Sequence, residues 1–142
     1  MQLPFANDLT DLEAVIPTPQ RVHATSDYTG AGVTVAFLDS GFYPHPDLIR
    51  PGNRIKLFAD ATGERVVERA HFKTHHASSW HGTMTTGASM GSGALSKGHY
   101  RGIAPGAGLV LVKTGQPDTF RISEKDISRA LTWVLLNHAR LG

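Results

Sequence analysis

The chain has 142 residues and a mass of 15.3 kDa, a length that favours a single domain. A hydrophobic fraction of 40% with 18% charged residues excludes an intrinsically disordered chain. The absence of cysteine excludes a disulfide scaffold, a zinc knuckle and a thiol nucleophile. The formal net charge is +2, and the 14 basic residues are scattered, so the composition does not favour nucleic-acid binding.

The first 20 residues predict an arm outside the core. Asp8–Glu13 is compatible with a short helix, which Pro17 and Pro19 would end. No basic residue precedes Arg21, and acids stand where a secretory signal would have an apolar run, so we expect no signal peptide. The apolar runs fall well short of the roughly 20 residues that a membrane span needs. Residues 21–142 are then expected to form the folded domain.

Three apolar runs predict the strands of a parallel sheet. Val33–Leu38 is almost wholly apolar, which is typical of a strand covered on both faces. Arg54–Phe58 alternates and predicts a shorter strand, and Leu109–Val112 predicts a third, buried one. Asp39 directly follows the first run, at the carboxyl end where open α/β sheets place their chemistry. Residues 59–80 predict a loop with room for a hairpin.

Two helices are predicted among these strands. Residues 81–90 are mostly small and predict a tightly packed helix, although each interior glycine costs up to about 1 kcal/mol. The final helix starts at a capping-box-like Ser123–Asp126 and ends at Gly142. Its apolar residues have amphipathic spacing and are expected to face the sheet: Ile127, Ala130, Leu131, Val134, Leu135 and Leu141. Strands alternating with helices predict an α/β fold with right-handed crossovers.

Three blocks of residues carry the functional information. In chain order they are Tyr28–Gly41 followed by His45–Leu48, then His81–Thr83 with Gly87, and then Gly102–Leu109 leading into Lys113. In order, spacing and local structure these blocks resemble those of the subtilisin-like serine proteases, from about residue 20 to the end. The resemblance implies a three-layer α/β/α fold with a doubly wound parallel sheet. It also implies that this chain is the amino-terminal half of such a peptidase domain, so that the fold is partial and truncated.

The resemblance assigns catalytic roles to two residues. Asp39 matches the triad aspartate, and His81 matches the triad histidine at the amino end of a buried helix. In the family, the histidine takes a proton from a serine that attacks a peptide carbonyl, and the aspartate orients the imidazole. The nucleophilic serine and the oxyanion-hole asparagine belong to the second half of the domain, and neither motif is present here. The residues from Lys113 to Arg121 match the wall of the cleft where a polypeptide substrate pairs as an added strand.

Ser89 lies in a pattern that imitates a nucleophile motif. Gly87–Gly91 fits G-x-S-x-G. Ser89, however, is eight residues beyond His81, and eight helical residues span about 12 Å, which is too far for a proton transfer. A nucleophile elbow also needs a strand before it, and here a helix is predicted. We therefore interpret Ser89 as a small residue used in helix packing.

Two patterns bear on metal binding. Four histidines lie within eleven residues, a density that can bind zinc or nickel: His71, His75, His76 and His81. This stretch has no acidic or thiol partner, which favours a solvated loop. Asp47 matches an acid that ligates calcium in many relatives, but the loop Gly91–Ser96 lacks the expected Asn or Asp donors. We therefore expect no cofactor and no metal site.

Two classes of function follow from these observations. The first is a serine-type endopeptidase whose missing carboxy-terminal half supplies the nucleophile. The alternative is a catalytically inactive subtilase-like module that acts in binding or assembly. An apolar edge strand left at the end of an incomplete sheet argues against the alternative, because such an edge invites aggregation or pairing with another chain. Family members are often secreted, and no residue pattern here identifies the compartment or the substrate preference.

Overall fold

The computed structural model describes residues 15–70, 77–116 and 121–142. The helices and strands in chain order are α1 (Thr18–Arg21), β1 (Thr34–Asp39), α2 (Pro46–Ile49), β2 (Ile55–Asp60), β3 (Val67–Arg69), α3 (Ser79–Met90), a 3₁₀ turn (Ala94–Ser96), β4 (Gly108–Lys113) and α4 (Glu124–Leu141). The helix expected at Asp8–Glu13 lies outside the described residues. None of the helices in the described ranges has the length and apolar character needed to cross a membrane.

The four strands form one sheet in the order β1-β4-β2-β3. β1 and β2 both run parallel to β4, which confirms the predicted parallel arrangement, and their last residues, Asp39 and Asp60, are both level with Lys113. β3 is antiparallel to β2, so the hairpin expected within residues 59–80 forms. β2 runs two residues beyond its predicted end because Ala59 and Asp60 pair with β4 on one side and β3 on the other.

β4 lies at the centre of the domain because its two faces pack against different clusters. Leu109 and Leu111 join the cluster that includes Phe42 and Met90, whereas Val110 and Val112 join the cluster that includes residues of α4. All four strand residues are fully buried, and burial of each such side chain contributes roughly 1.5–3 kcal/mol. Helices therefore cover both faces of the sheet, as the expected α/β/α layering requires.

β1 is less covered than its apolar sequence predicts. All six of its residues are half-buried, and Val33, just before it, is exposed. The reason is its position in the sheet, since β1 pairs with β4 on one side and forms the edge of the described sheet. Its carboxyl end is better protected, because Ser40 directly after the strand is buried.

The helix α4 has the predicted bounds but buries only part of its predicted stripe. Ser123 accepts a hydrogen bond from the Asp126 N–H at 3.1 Å and caps the helix. Ala130 and Leu141 are buried as expected, but Ile127, Leu131 and Leu135 are exposed, the last by 61%. The expectation that the whole stripe faces the sheet is therefore wrong. The buried residues of the helix are Asp126, Ala130 and Leu141, with Val134 partly buried on the same side. The exposed residues 127, 131 and 135 each follow a residue of that line by one position, about 100° around the helix.

Asp126 ties the start of α4 to the ends of the sheet strands. Its carboxylate accepts hydrogen bonds from Gln116 (2.8 Å) and Arg129 (2.6 Å), and Arg129 also donates to the Ala61 carbonyl. Burial alone raises the pKa of the Asp126 carboxyl, but the hydrogen bonds from Arg129, Ser123 and Gln116 outweigh burial and hold the pKa below its usual range. The ionised carboxylate thus anchors the connection between β4 and α4.

Candidate active site

Asp39 lies at the carboxyl end of β1, where neighbouring segments fix both its backbone and its side chain. Thr114, which follows β4, donates its N–H (2.8 Å) and its hydroxyl (3.1 Å) to the Asp39 carbonyl oxygen. The carboxylate Oδ1 of Asp39 accepts the N–H of Ser40 at 2.6 Å. Only 13% of the Asp39 side chain is exposed. The carboxylate is therefore held by its own strand end and largely shielded from water.

The segment after β1 packs closely against the start of α3. Ser40 donates its hydroxyl to the carbonyl oxygen of Ser78 at 2.7 Å. Gly82 lies so near this segment that a Cβ atom there would be 2.3 Å from the Gly41 carbonyl oxygen. Since no side chain fits in that space, glycine is required for this approach. The small residues predicted for this helix thus bring its first turn to the end of β1.

This packing places the His81 imidazole beside the Asp39 carboxylate. His81 Nδ1 lies 2.8 Å from Asp39 Oδ1. Because an ionised carboxylate only accepts hydrogen bonds, Nδ1 carries the proton and the lone pair is on Nε2. The His81 side chain is 50% exposed, in contrast to its shielded partner. The pair can therefore accept a proton from an external group at Nε2 and stabilise the imidazolium that results.

A recess of about 230 Å³ opens beside the imidazole. Its lining consists of Ser40, Ser78, Trp80, His81 and Ile122. The Trp80 ring lies edge-on to the imidazole, with 5.4 Å between ring centroids, and the Trp80 and Ile122 side chains are exposed. This side of the site thus presents apolar surface to whatever approaches His81.

The predicted cleft wall begins with residues packed under the site. Lys113, Thr114 and Gly115 are buried, and a Cβ atom on Gly115 would lie 2.4 Å from the Ser40 carbonyl oxygen. Gly115 forms an isolated antiparallel bridge with Ile122, which lines the recess. Residues 117–120 lie outside the described residues.

Of the remaining sequence candidates, Ser89 bonds within its own helix rather than to the Asp39–His81 pair. Ser89 donates its hydroxyl to the Thr85 carbonyl oxygen at 2.8 Å, within its own helix, which fits a packing role. His71, His75 and His76 lie outside the described residues. Within the ranges that the structure covers, no three or more histidine, cysteine, aspartate or glutamate residues form a group suited to a metal ion.

Asp47 makes several contacts that involve the loop after α3. Its Oδ1 accepts the N–H of Leu95 at 2.9 Å, and its carbonyl oxygen accepts the N–H of Ser92 at 2.8 Å. Arg54 donates to the same carbonyl oxygen at 2.7 Å and to the Ala107 carbonyl oxygen at 3.3 Å. Hydrogen bonds therefore join α2 to the loop that follows α3.

Sequence reasoning did not single out four residues that contact the Asp39–His81 pair, namely Ser40, Trp80, Thr85 and Thr114. A signal existed for Thr85, because a residue four positions after His81 lies on the same face of a helix. Its hydroxyl oxygen is 3.2 Å from Asp39 Oδ2. No local signal existed for Thr114, since its contact depends on the pairing of β1 with β4.

Two known proteins are similar to this chain in sequence or in structure. The serine protease AprX of Bacillus subtilis (strain 168) is 45% identical over 85 residues, which are 60% of this chain and 17% of AprX. The structure of the CspB protease of Clostridium perfringens matches with a TM-score of 0.66 at 20% identity, over 92% of this chain and 30% of that chain, which shows a shared fold. The chain therefore spans less than a third of the length of either relative.

The family comparison covers both residues of the central pair. A model described as the subtilase family matches residues 30–141, a range that contains β1, α3, β4 and α4. On this match over most of its length, the chain belongs to the subtilase family.

Proposed function

We propose that this chain supplies the aspartate and the histidine of an Asp-His-Ser catalytic triad in a serine endopeptidase. Asp39 orients the His81 imidazole, and His81 acts first as the general base and then as the general acid. The nucleophilic serine comes from sequence outside these residues. The observation that carries this proposal is the 2.8 Å hydrogen bond between His81 Nδ1 and Asp39 Oδ1 at the carboxyl end of β1, in a chain of the subtilase family.

In the proposed reaction, His81 moves the proton. The serine hydroxyl gives its proton to Nε2 while its oxygen attacks the peptide carbonyl carbon, and the peptide C–N bond breaks as His81 returns the proton to the leaving amine. Water then hydrolyses the acyl-serine ester with the same base. Asp39 stays ionised and stabilises the imidazolium, an interaction that its low exposure strengthens by reducing the local dielectric constant.

The proposed substrate is a polypeptide that lies along the residues from Lys113 to Arg121. A substrate backbone pairing there as an added strand would pass the recess lined by Trp80 and Ile122. Apolar side chains near the scissile bond then have surface to pack against. Gly115 has no side chain and can therefore lie close to Ser40. This places the start of the cleft wall next to the strand that bears Asp39.

The first test is an activity measurement on the full-length protein that contains this chain. We expect hydrolysis of an unstructured polypeptide such as casein, and stoichiometric labelling by a fluorophosphonate, which reacts with an activated serine. Labelling should disappear after heat denaturation, which serves as the control. A protein that binds the polypeptide but neither hydrolyses it nor reacts with the fluorophosphonate would be the inactive binding module. This result would contradict the proposal.

We further propose that Asp47 does not hold a calcium ion. The Leu95 N–H donates to Asp47 Oδ1 at 2.9 Å, so one acceptor position of that carboxylate is already used within the protein. The turn Ala94–Ser96 is joined to α2 by this bond and provides no carboxylate or amide side chain of its own. Calcium needs six to eight oxygen ligands, often including several carboxylates, and the residues present at Asp47 do not fit that requirement.

A calcium titration with the variant Asp47→Asn tests this second proposal. Asparagine keeps an oxygen that accepts the Leu95 N–H but removes the charge that calcium needs. We expect the melting temperatures of the wild-type protein and of the variant to respond identically to added calcium and to a chelator. If Asp47 holds no calcium, any effect of calcium on the melting temperature comes from another part of the protein, which the substitution does not change. A calcium-dependent rise in melting temperature that is present in the wild-type protein and lost in Asp47→Asn would overturn the proposal.

A further inference from the structure

We propose that Thr85 is a positioning residue, which holds the Asp39 carboxylate by the oxygen that does not face His81. This inference rests on the proposed function, since it concerns the same Asp39–His81 pair. Oδ1 of Asp39 faces His81 Nδ1 at 2.8 Å and accepts the N–H of Ser40 at 2.6 Å. In the part of the chain that the structure describes, the hydrogen bond to Oδ2 comes from the Thr85 hydroxyl, at 3.2 Å.

The Thr85 hydroxyl has a second acceptor within reach, but that acceptor is already saturated. Thr85 Oγ1 lies 3.0 Å from the Gly82 carbonyl oxygen. The same oxygen accepts the Thr86 hydroxyl at 2.7 Å and, by α-helical geometry, the Thr86 N–H. A carbonyl oxygen has two lone pairs, and an ionised carboxylate is the stronger acceptor. The Thr85 proton is therefore directed to Asp39.

One helix thus holds both oxygens of the carboxylate. Thr85 lies one turn beyond His81 in α3, on the same face. The carboxyl torsion of an aspartate is broad and has no sharp staggered minima, so contacts to one oxygen leave its plane poorly defined. Contacts to Oδ1 from His81 and to Oδ2 from Thr85 fix that plane, because both side chains project from the same rigid element.

The consequence concerns the chemical step rather than substrate binding. While His81 carries the extra proton, its Nδ1–H bond to Asp39 Oδ1 is the contact that stabilises the charge. A carboxylate free to rotate aligns less well with that N–H and therefore stabilises the imidazolium less. Thr85 is not one of the residues that line the recess beside His81, so the loss should appear in kcat and leave KM unchanged.

The test compares Thr85→Val, Thr85→Ser and Ser89→Ala in the full-length protein, by steady-state hydrolysis of a peptide substrate. Valine retains the shape of threonine without the hydroxyl, and we expect kcat of Thr85→Val to fall about tenfold with KM unchanged. Thr85→Ser restores the hydroxyl and should recover most of kcat. Ser89→Ala is the matched control, since it removes a hydroxyl of the same helix that bonds the Thr85 carbonyl oxygen and neither Asp39 nor the Gly82 carbonyl oxygen, and it should keep the wild-type kcat.

The outcomes separate this inference from the function on which it rests. A wild-type protein without hydrolysis overturns the proposed function and the role of Thr85 together. A wild-type protein that hydrolyses the peptide, with Thr85→Val equally active, overturns the role of Thr85 alone. The same conclusion follows if Thr85→Ser is as impaired as Thr85→Val, or if Ser89→Ala loses as much kcat, because the effect would then come from the helix rather than from the bond to Asp39.

Discussion

Replacing His81 with alanine should lower kcat for peptide hydrolysis by the full-length protein on the order of 10⁶-fold, which is the size of the loss when subtilisin itself lacks its triad histidine. The variant has no base at the position 2.8 Å from Asp39 Oδ1, so the serine proton has no acceptor and the imidazolium cannot form. The measurement is the initial rate of peptide hydrolysis at saturating substrate. The fold should survive, because the His81 side chain is half exposed and its removal leaves no buried cavity.

The matched control for this variant is Ser89→Ala in the same helix. The Ser89 hydroxyl is bonded to the Thr85 carbonyl oxygen, and helix geometry separates it from His81 by about 12 Å. We expect this variant to keep a kcat within a factor of about two of the wild-type value, since it loses one helix hydrogen bond worth about 1 kcal/mol of stability. An active His81→Ala variant, or an inactive Ser89→Ala variant, would show that the catalytic residues are assigned wrongly.

Replacing Gly82 with alanine should lower the free energy of unfolding by about 1–2 kcal/mol. The new Cβ atom would lie 2.3 Å from the Gly41 carbonyl oxygen and 2.8 Å from the Phe42 ring. Overpacking typically costs about 1–3 kcal/mol, and contact with backbone atoms allows little relief. The better helix propensity of alanine returns only about 1 kcal/mol of that cost. Urea unfolding of the full-length protein, followed by tryptophan fluorescence, measures the change.

Gly87→Ala is the control for this substitution because it makes the same chemical change in the same helix. A Cβ atom on Gly87 has no neighbour within 4 Å. We expect Gly87→Ala to raise the free energy of unfolding by about 0.5–1 kcal/mol, since alanine restricts the unfolded chain and favours the helix. If Gly82→Ala proved as stable as Gly87→Ala, the close approach of α3 to the segment after β1 would be refuted.

The stability and activity of the Gly82 variant should change together. The same approach that excludes a side chain at Gly82 brings the neighbouring His81 to the end of β1. A further bond near the helix start, from the Tyr43 N–H to the Thr83 hydroxyl at 3.0 Å, depends on it as well. Whatever folded fraction remains should therefore have a displaced imidazole and a lower kcat, whereas Gly87→Ala should retain the wild-type kcat.

The strands and helices were largely predictable because their signals are local. The uniformly apolar run Leu109–Val112 predicts a strand covered on both faces, and β4 is such a strand at the centre of the sheet. Ser123 predicts the start of the last helix by its capping pattern, and the helix begins there. The fold class follows from the alternation of such elements.

The exposure of those elements was less predictable because it depends on their neighbours. β1 has as apolar a sequence as β4, yet it lies at the edge of the described sheet and is only half-buried. In α4 the apolar stripe is wide enough that either of two adjacent faces could pack against the sheet. The face that includes Ala130 is the one that packs there. The choice leaves Leu131 and Leu135 exposed, and no periodicity in the sequence distinguishes the two faces.

For the candidate site, the sequence by itself predicted Asp39 and His81 as the central pair and predicted the strand and the helix that carry them. The order of Asp39, His81 and the glycine-rich block before β4 led to the same family as the later comparisons. Only the tertiary structure decided how the carboxylate is held, since Thr114 and Thr85 reach Asp39 from a strand and a helix far away in the chain. Sequence patterns report periodicity and local propensity, whereas a contact across 46 or 75 residues depends on how the sheet pairs and how closely α3 packs against it.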